Sequence, residues 1–150
     1  MTGSATASEK FDASRACVII PTYNNAATLA SVIEAVATYT NHIIVVNDGS
    51  TDDTLIIVED FPFIQLITYP KNVGKGWALR KAFTFATEMD YKFAITIDSD
   101  GQHFAKDLPT FLDNVQLVED AIIIGSRNMD QASVHGKSSY GPKFSTFWFK

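Results

Sequence analysis

The sequence predicts an α/β protein whose mainly parallel sheet is covered by helices on both faces. Short apolar runs rich in β-branched residues alternate with segments that carry apolar residues at helical spacing. The apolar runs are hydrophobic throughout, which is typical of strands buried on both faces. Polar, acidic and glycine-containing segments follow these runs, and ligands of such sheets bind beyond the carboxyl ends of the strands.

Strands and helices alternate when the chain is followed in order. The predicted strands cover residues 16–21, 42–47, 63–69, 92–98 and 121–126. One helix begins near residue 26, and a second follows the turn DGSTDDT. A third contains the apolar residues Ala78, Leu79, Ala82, Phe83 and Ala86. The fourth covers residues 105–118, with Pro109 in its first turn, where proline is favoured.

The two ends of the chain differ from this pattern. Residues 1–15 are mostly small and polar, so we expect a disordered leader there. Residues 141–150 are rich in aromatic side chains, which normally need a partner surface. We therefore expect residues 16–150 to be the front part of a longer, C-terminally truncated domain.

Composition narrows the possible functions. The chain has 150 residues, enough for one domain, and a net charge of −5, which argues against a nucleic-acid partner. Its one cysteine, Cys17, allows neither an internal disulfide nor a cysteine-rich zinc site, and its apolar surroundings favour a core residue. With no apolar run of membrane-helix length and no signal peptide, we expect a cytoplasmic protein.

Two aspartates stand where the fourth predicted strand ends. Asp98 and Asp100 lie two positions apart, so their side chains point the same way while the strand continues. Paired carboxylates repel each other, and all-oxygen ligation suits Mg²⁺ or Mn²⁺, which keeps open positions for substrate phosphates. His103 could add an imidazole. The alternative is a solvated acidic turn, which is the commoner reading of this pattern alone.

Other strand ends carry further candidates. Lys75 lies between two glycines at a helix start, a position that favours anions, although the pattern matches neither a P-loop nor a dinucleotide fingerprint. Asp48 could accept hydrogen bonds from a base or ribose, Tyr23 could stack on a base, and Arg127 could pair with a diphosphate. Each also has a structural alternative: a helix-starting turn, a cap, a packed aromatic and an exposed salt bridge.

The order of these motifs is more specific than any one of them. PTYN, VNDGSTDDT, NVGKGWALRKA, IDSDGQH and GSRN closely resemble the inverting glycosyltransferases of family 2, over residues 16–127. DSDGQH followed by DLP and GSR resembles the branch that makes dolichyl- or polyprenyl-phosphate mannose or glucose. The resemblance implies a GT-A (Rossmann-like) fold and metal-dependent transfer of a sugar from a UDP- or GDP-linked donor to an acceptor, such as a membrane lipid phosphate.

The resemblance also implies roles for individual residues. Metal binding would fall to Asp98, Asp100 and His103, with Asp100 the stronger carboxylate ligand of Mg²⁺ or Mn²⁺. Asp100 and Arg127 would be catalytic. The nucleotide-sugar would be bound by Pro21, Tyr23, Asn24, Asp48, Gly74, Lys75, Asp98, Ser99, Gln102 and Arg127. A membrane-lipid acceptor would make the full-length protein peripheral to the membrane.

Two departures from the family pattern affect the prediction. Asn25 stands where the family often has Glu, which puts one nucleoside contact in doubt. The chain also ends before the region in which the family places its acceptor site and, in many members, an aspartate base. No residue is therefore nominated as general base, although an acceptor phosphate is already an anion.

Three other functions fit parts of the sequence. A phosphatase of the haloacid dehalogenase type would use Asp98 as nucleophile, but that motif usually opens the first strand and is followed by Thr rather than Gln102. A nucleotidyltransferase would share the metal but usually has a glycine-rich loop after its first strand. A nucleotide-binding but inactive module is the third alternative.

Overall fold

The computed structural model describes residues 5–115 and 122–125 of the chain. Its strands are β1 (Ala16–Thr22), β2 (Ile43–Asp48), β3 (Gln65–Tyr69) and β4 (Phe93–Thr96). They form one sheet in the order β3-β2-β1-β4, and each neighbouring pair is parallel. The predicted parallel α/β class is confirmed, and all carboxyl ends of the strands point to the same edge of the sheet.

Helices connect and cover these strands. They are α1 (Ala7–Ser14), α2 (Ala26–Ala37), α3 (Thr54–Glu59), α4 (Lys75–Glu88) and α5 (Leu108–Val115), the last preceded by a 3₁₀ turn at Ala105–Asp107. No helix within residues 5–115 is long and apolar enough to span a membrane.

The sheet separates two hydrophobic clusters. Alternate residues of β1, such as Val18 and Ile20, pack with α1, α2, α3 and α5 on one face. The intervening residues Cys17 and Ile19 face α4 on the other. Because β1 and β2 are apolar on both faces and fully buried, the sheet can be covered on both sides, as the continuous hydrophobic runs predict.

Helix α4 contacts the sheet through small side chains. Ala78, Ala82 and Ala86 are buried at intervals of four residues, so they lie on one face of the helix. This face packs near Cys17, and burial raises the pKa of the Cys17 thiol to about 12. The expectation that Cys17 is a core residue rather than a nucleophile agrees with this environment.

The expected disordered leader is wrong for residues 7–14, which form α1. Thr6 and Glu9 make a capping box: the Thr6 Oγ1 accepts from the Glu9 amide at 3.3 Å, and the Glu9 carboxylate accepts from the Thr6 amide at 2.7 Å. Phe11 is fully buried in the cluster with Val18 and Ile20. One aromatic anchor and a good cap therefore order a segment whose composition alone suggests disorder.

The fifth predicted strand is not observed in the part of it that the structure describes. Residues 122–125 are not in a strand, and Ile122 and Ile124 are 75% and 67% exposed. An apolar run becomes a strand only when a neighbour supplies hydrogen bonds, and these residues have no ladder partner in the described sheet. The aromatic segment 141–150 lies outside the described residues.

Candidate functional site

The loops at the carboxyl edge of the sheet are held together by hydrogen bonds from side chains. They comprise residues 22–25 after β1, 48–53 after β2, 70–74 after β3 and 97–104 after β4. The strand order brings the loops that follow β2 and β4 to either side of the loop that follows β1. The sequence-predicted site residues of the described region therefore lie on one rim, as expected for ligand sites of parallel sheets.

The first two loops are joined through Asn24. Its backbone has the left-handed conformation, with φ of 53°. Its amide donates to the Ser50 Oγ at 3.0 Å, and its Oδ1 accepts from the Thr51 amide at 2.8 Å. Asn24 therefore holds the loop after β1 to the loop after β2. Its predicted contact with the nucleotide-sugar stays a prediction.

Asp52 adds a second bond between the same loops. Its Oδ2 accepts from the Ala26 amide at 2.9 Å, and its Oδ1 accepts from the Thr54 hydroxyl and amide. Asp52 thus pairs a backbone amide at the N-terminus of α2 that would otherwise have no partner within the helix. The N-cap residue of α2, Asn25, makes no side-chain cap bond. Desolvation raises the pKa of Asp52, but the hydrogen bonds from Thr54 and Ala26 outweigh it and hold the pKa below its ordinary value.

Asp48 connects the end of β2 to the loop that precedes α4. It is 3% exposed, its Oδ1 accepts from the Val73 amide at 3.0 Å and its Oδ2 accepts from the Gly74 amide at 2.7 Å. Gly74 has φ of 110° and is the N-cap of α4. Asp48 therefore fixes the start of α4, and its contact with a base or ribose stays a prediction.

Lys75, the first residue of α4, reaches across to the end of β4. Its Nζ lies 2.6 Å from the Asp98 Oδ1, and the two side chains are 58% and 28% exposed. An ammonium group thus faces one of the two carboxylates that the sequence assigns to a cation. The Lys75–Asp98 pair joins two predicted site residues that are 23 positions apart in sequence.

The loop after β4 folds back on itself around Gly101, which has φ of 76°. The Asp100 Oδ1 accepts from the Gln102 amide at 2.9 Å. The Nδ1 of His103 accepts from the Asp98 amide at 3.3 Å and is 3.9 Å from the Asp98 Oδ2. Since Nδ1 is turned to Asp98, a metal bond from His103 would have to use its other ring nitrogen.

The residues at this loop partly fit a divalent cation. Asp98 and Asp100 offer carboxylate oxygens, and the Lys75 ammonium beside Asp98 shows that this position attracts positive charge. Among residues 5–115 and 122–125, no cluster of three or more His, Cys, Asp or Glu side chains could hold a metal ion. The three predicted ligands are therefore not gathered into a preformed cage, and phosphate and water oxygens would complete the shell of Mg²⁺ or Mn²⁺.

Ser99 lies between the two aspartates and points inward. It is 1% exposed; its Oγ accepts from the Asn25 Nδ2 at 2.8 Å and its carbonyl accepts from the Thr28 Oγ1 at 2.6 Å. Asn25, at the position where Glu was expected, thus anchors the loop that carries Asp98 and Asp100. A ligand contact for Ser99 stays a prediction.

Thr22, the last residue of β1, is a rim residue that was not predicted from the sequence. Thr22 is 3% exposed, and its Oγ1 is the one buried side-chain nitrogen or oxygen of the described residues that has no hydrogen-bond partner. Buried hydroxyls are normally paired, so this atom marks a position where a polar partner is expected. Only its place at a strand end, beside the predicted Pro21 and Tyr23, could have singled it out.

The remaining predicted residues occupy different situations. Pro21 is buried within β1, and Tyr23 is 46% exposed at the rim, with its ring accessible to a ligand. Gln102 follows Asp100 in the loop after β4 and is exposed. Arg127 lies outside the described residues, so its predicted contact with a diphosphate stays a prediction.

The fold and rim define the class to which the chain belongs, an α/β domain with a parallel sheet and an acidic loop after its β4 strand. Comparison with protein families then names the family: the model described as Glycosyl transferase family 2 matches residues 17–146, and the chain belongs to that family. The resemblance drawn from its motifs is confirmed.

Curated relatives include enzymes of lipid-linked sugar synthesis. The chain is 31% identical over 127 residues to the polyprenol monophosphomannose synthase of Mycolicibacterium smegmatis, covering 80% of this chain and 48% of that protein. It is 30% identical over 122 residues to the undecaprenyl-phosphate mannosyltransferase of Micrococcus luteus, covering 77% and 49%. The chain thus spans about half the length of these relatives.

A solved structure supports the fold. Glucosyl-3-phosphoglycerate synthase from Mycobacterium tuberculosis, in complex with Mn²⁺, UDP and glucosyl-3-phosphoglycerate, matches with a TM-score of 0.60 and 23% identity. The match covers 77% of this chain and 45% of that one. At this identity the likeness establishes the GT-A architecture.

Proposed function

We propose that the chain is the nucleotide-sugar-binding part of a metal-dependent, inverting glycosyltransferase that transfers a sugar to a polyprenyl phosphate. One observation carries the proposal: three motifs that resemble the family meet at one rim, where Asp48 holds the Gly74 amide and the neighbouring Lys75 reaches Asp98. The relatives that act on polyprenol or undecaprenyl phosphate support the acceptor class. Mn²⁺ and UDP in the matched solved structure support a divalent ion and a nucleotide donor.

Different rim residues would bind different parts of the donor. Asp48 holds the loop at Gly74 in place, and Tyr23 offers an exposed ring on which a base can stack. Asp98 and Asp100 would hold Mg²⁺ or Mn²⁺, which when bound would neutralise charge on the diphosphate. Lys75 and Arg127 would bring positive charge to the same phosphates.

The chemistry proposed is a single displacement at the anomeric carbon. An oxygen of the acceptor phosphate forms a bond to that carbon, while the bond to the donor's diphosphate oxygen breaks and the nucleoside diphosphate leaves. Configuration is inverted because attack and departure occur on opposite faces. The acceptor phosphate is already anionic, so the step needs no strong base from the residues that the structure describes.

The alternatives have less support. A haloacid dehalogenase-type phosphatase would need Asp98 as a free nucleophile, whereas Asp98 Oδ1 is paired with Lys75 and the chain belongs to a glycosyltransferase family. That membership also disfavours a nucleotidyltransferase. An inactive nucleotide-binding module remains the second candidate, because the described residues do not gather three or more His, Cys, Asp or Glu side chains into a metal site.

Substitution of Asp100 tests the proposal. Asp100→Asn should reduce the Mn²⁺-dependent affinity for UDP or GDP by about tenfold or more. Substitution of a residue that only supports a metal ligand already lowers metal affinity by about that factor. Asp107→Asn is the matched control, because Asp107 is an exposed aspartate of the nearby 3₁₀ turn. Calorimetric titration measures both affinities. Undiminished metal-dependent binding in Asp100→Asn would refute the proposed metal site.

Donor turnover separates the enzyme from the inactive module. Formation of free sugar, or transfer of the sugar to a polyprenyl phosphate, from a UDP- or GDP-linked donor would favour the transferase. Product analysis measures either outcome. Nucleotide binding without any turnover would favour the module.

A further inference from the structure

The contact between Lys75 and Asp98 bears on how the rim accepts its ligands. The Nζ–Oδ1 distance of 2.6 Å is that of a charge-assisted hydrogen bond. The two residues come from different elements, the start of α4 and the loop after β4, and both side chains reach solvent. The pair therefore bridges two elements of the rim and is accessible to ions.

The backbone at Lys75 is held in place by its surroundings, whereas its side chain is partly exposed. Asp48 holds the amides of Val73 and Gly74, the two residues before Lys75. Gly49 lies so close to the same loop that an added Cβ would be 2.5 Å from the Asn72 nitrogen. The backbone that carries Lys75 is thus clamped at two points, and its ammonium group is directed to the rim.

A divalent cation bound by Asp98 would compete with this ammonium group, which occupies the Asp98 Oδ1. Two cations at one carboxylate repel each other, and an exposed ion pair is weak enough to be exchanged. Lys75 would then have no carboxylate at Asp98 and would need another anion within reach of the clamped loop. A diphosphate bound beside the cation supplies that anion.

On the basis of the function proposed above, we propose that Lys75 is an exchangeable internal counter-ion of Asp98. In the free chain it neutralises Asp98; when the divalent ion binds, Lys75 moves to the diphosphate of the nucleotide. The ion and the nucleotide consequently favour each other's binding, since the ion releases Lys75 and the nucleotide engages it. Lys75 is then a binding residue that couples the two ligands.

Binding of Mn²⁺ alone gives the first test. Lys75→Met removes the competing ammonium, so the affinity of the 150-residue chain for Mn²⁺ without nucleotide should rise about 2- to 5-fold, the range expected for an exposed ion pair. Loss of the free Mn²⁺ paramagnetic resonance signal on titration measures this affinity. Lys75→Arg should retain the wild-type value.

Lys81→Met is the matched control. Lys81 is on the same helix, and its Nζ lies 5.5 Å from the centre of the Trp77 ring, not at Asp98. It loses the same charge, so it reports the effect of net charge alone. An equal rise in Lys81→Met and Lys75→Met, or no rise in Lys75→Met when its melting temperature matches wild type, would overturn the proposal.

Nucleotide binding gives the second test. In saturating Mn²⁺, Lys75→Met should bind UDP or GDP about tenfold more weakly, because a charged phosphate contact is lost. The opposite signs of the two effects are the signature of exchange; weaker binding of both ligands would contradict it. If wild type binds neither nucleotide, the proposed function fails, whereas the Mn²⁺ titrations still decide whether Lys75 competes at Asp98.

Discussion

The Asp48 carboxylate accepts a hydrogen bond of 2.7 Å from the Gly74 amide, 26 residues away in sequence. Together with the bond from Val73 to the other oxygen, it holds the loop before α4 against the end of β2. A buried carboxylate that accepts backbone amides is a strong constraint, because both partners have lost their water. This contact organises the rim.

Replacement of Asp48 by Asn should therefore weaken both the loop and the site. An amide side chain has one acceptor oxygen, so either the Val73 or the Gly74 amide is left unpaired, at a cost of about 1–3 kcal/mol in the free energy of unfolding. Urea unfolding measures the loss. Asp53→Asn is the control, because Asp53 makes no side-chain cap bond, and an equal loss in both variants would count against the clamp.

Gly49 and Gly101 form a matched pair for testing the close approach of two loops. Both have positive φ, 72° and 76°, but an added Cβ meets the backbone of Lys71 and Asn72 only at Gly49. Gly101→Ala should cost about 1–2 kcal/mol from the backbone conformation alone. Gly49→Ala should cost clearly more, since backbone atoms must move. Equal losses on urea unfolding would show that the loops are not in contact.

The buried ring of Phe11 tests whether α1 belongs to the domain. Phe11→Ala removes a fully buried side chain and should lower the free energy of unfolding by about 3–5 kcal/mol. Ser8→Ala, at an exposed position of the same helix, should have little effect. Unchanged stability of Phe11→Ala in urea would mean that α1 does not pack on the sheet.

Asp52 should make the stability of the chain depend on pH. Because its folded pKa is lowered, it stabilises the fold above the ordinary aspartate pKa of about 3.9, and this stabilisation is lost as the pH falls through the folded value. Asp52→Asn should therefore be less stable than wild type at neutral pH, with a smaller loss on acidification. Urea midpoints across an acid series measure both, and parallel curves would contradict the assignment.

Much of the fold could be predicted from the sequence because its signals are local. The continuous apolar runs of β1 and β2 predict strands buried on both faces, and those strands occupy the centre of the sheet. Pro109 predicts the first turn of the helix that begins at Leu108. Such patterns depend on the residues themselves and little on their distant neighbours.

Contacts between distant residues could not be predicted in this way. The burial of Phe11 depends on a hydrophobic cluster to which several other elements contribute, and the segment 122–125 shows that an apolar run without a partner is not a strand. The motif order placed Asp48, Lys75 and Asp98 on one rim, but not the bonds that join them. Asn25 was noted as a departure, yet its bond to Ser99 depends on the fold.

The most direct test of the proposed function is calorimetric titration of UDP and of GDP into the folded chain, with and without Mn²⁺. One of the two nucleotides should bind, and its binding should require the ion, because Asp98 and Asp100 are proposed to hold a cation beside the diphosphate. Equal affinity with and without Mn²⁺ would contradict that role of the aspartates. Binding of neither nucleotide by a folded sample would contradict the proposal that this chain binds the donor.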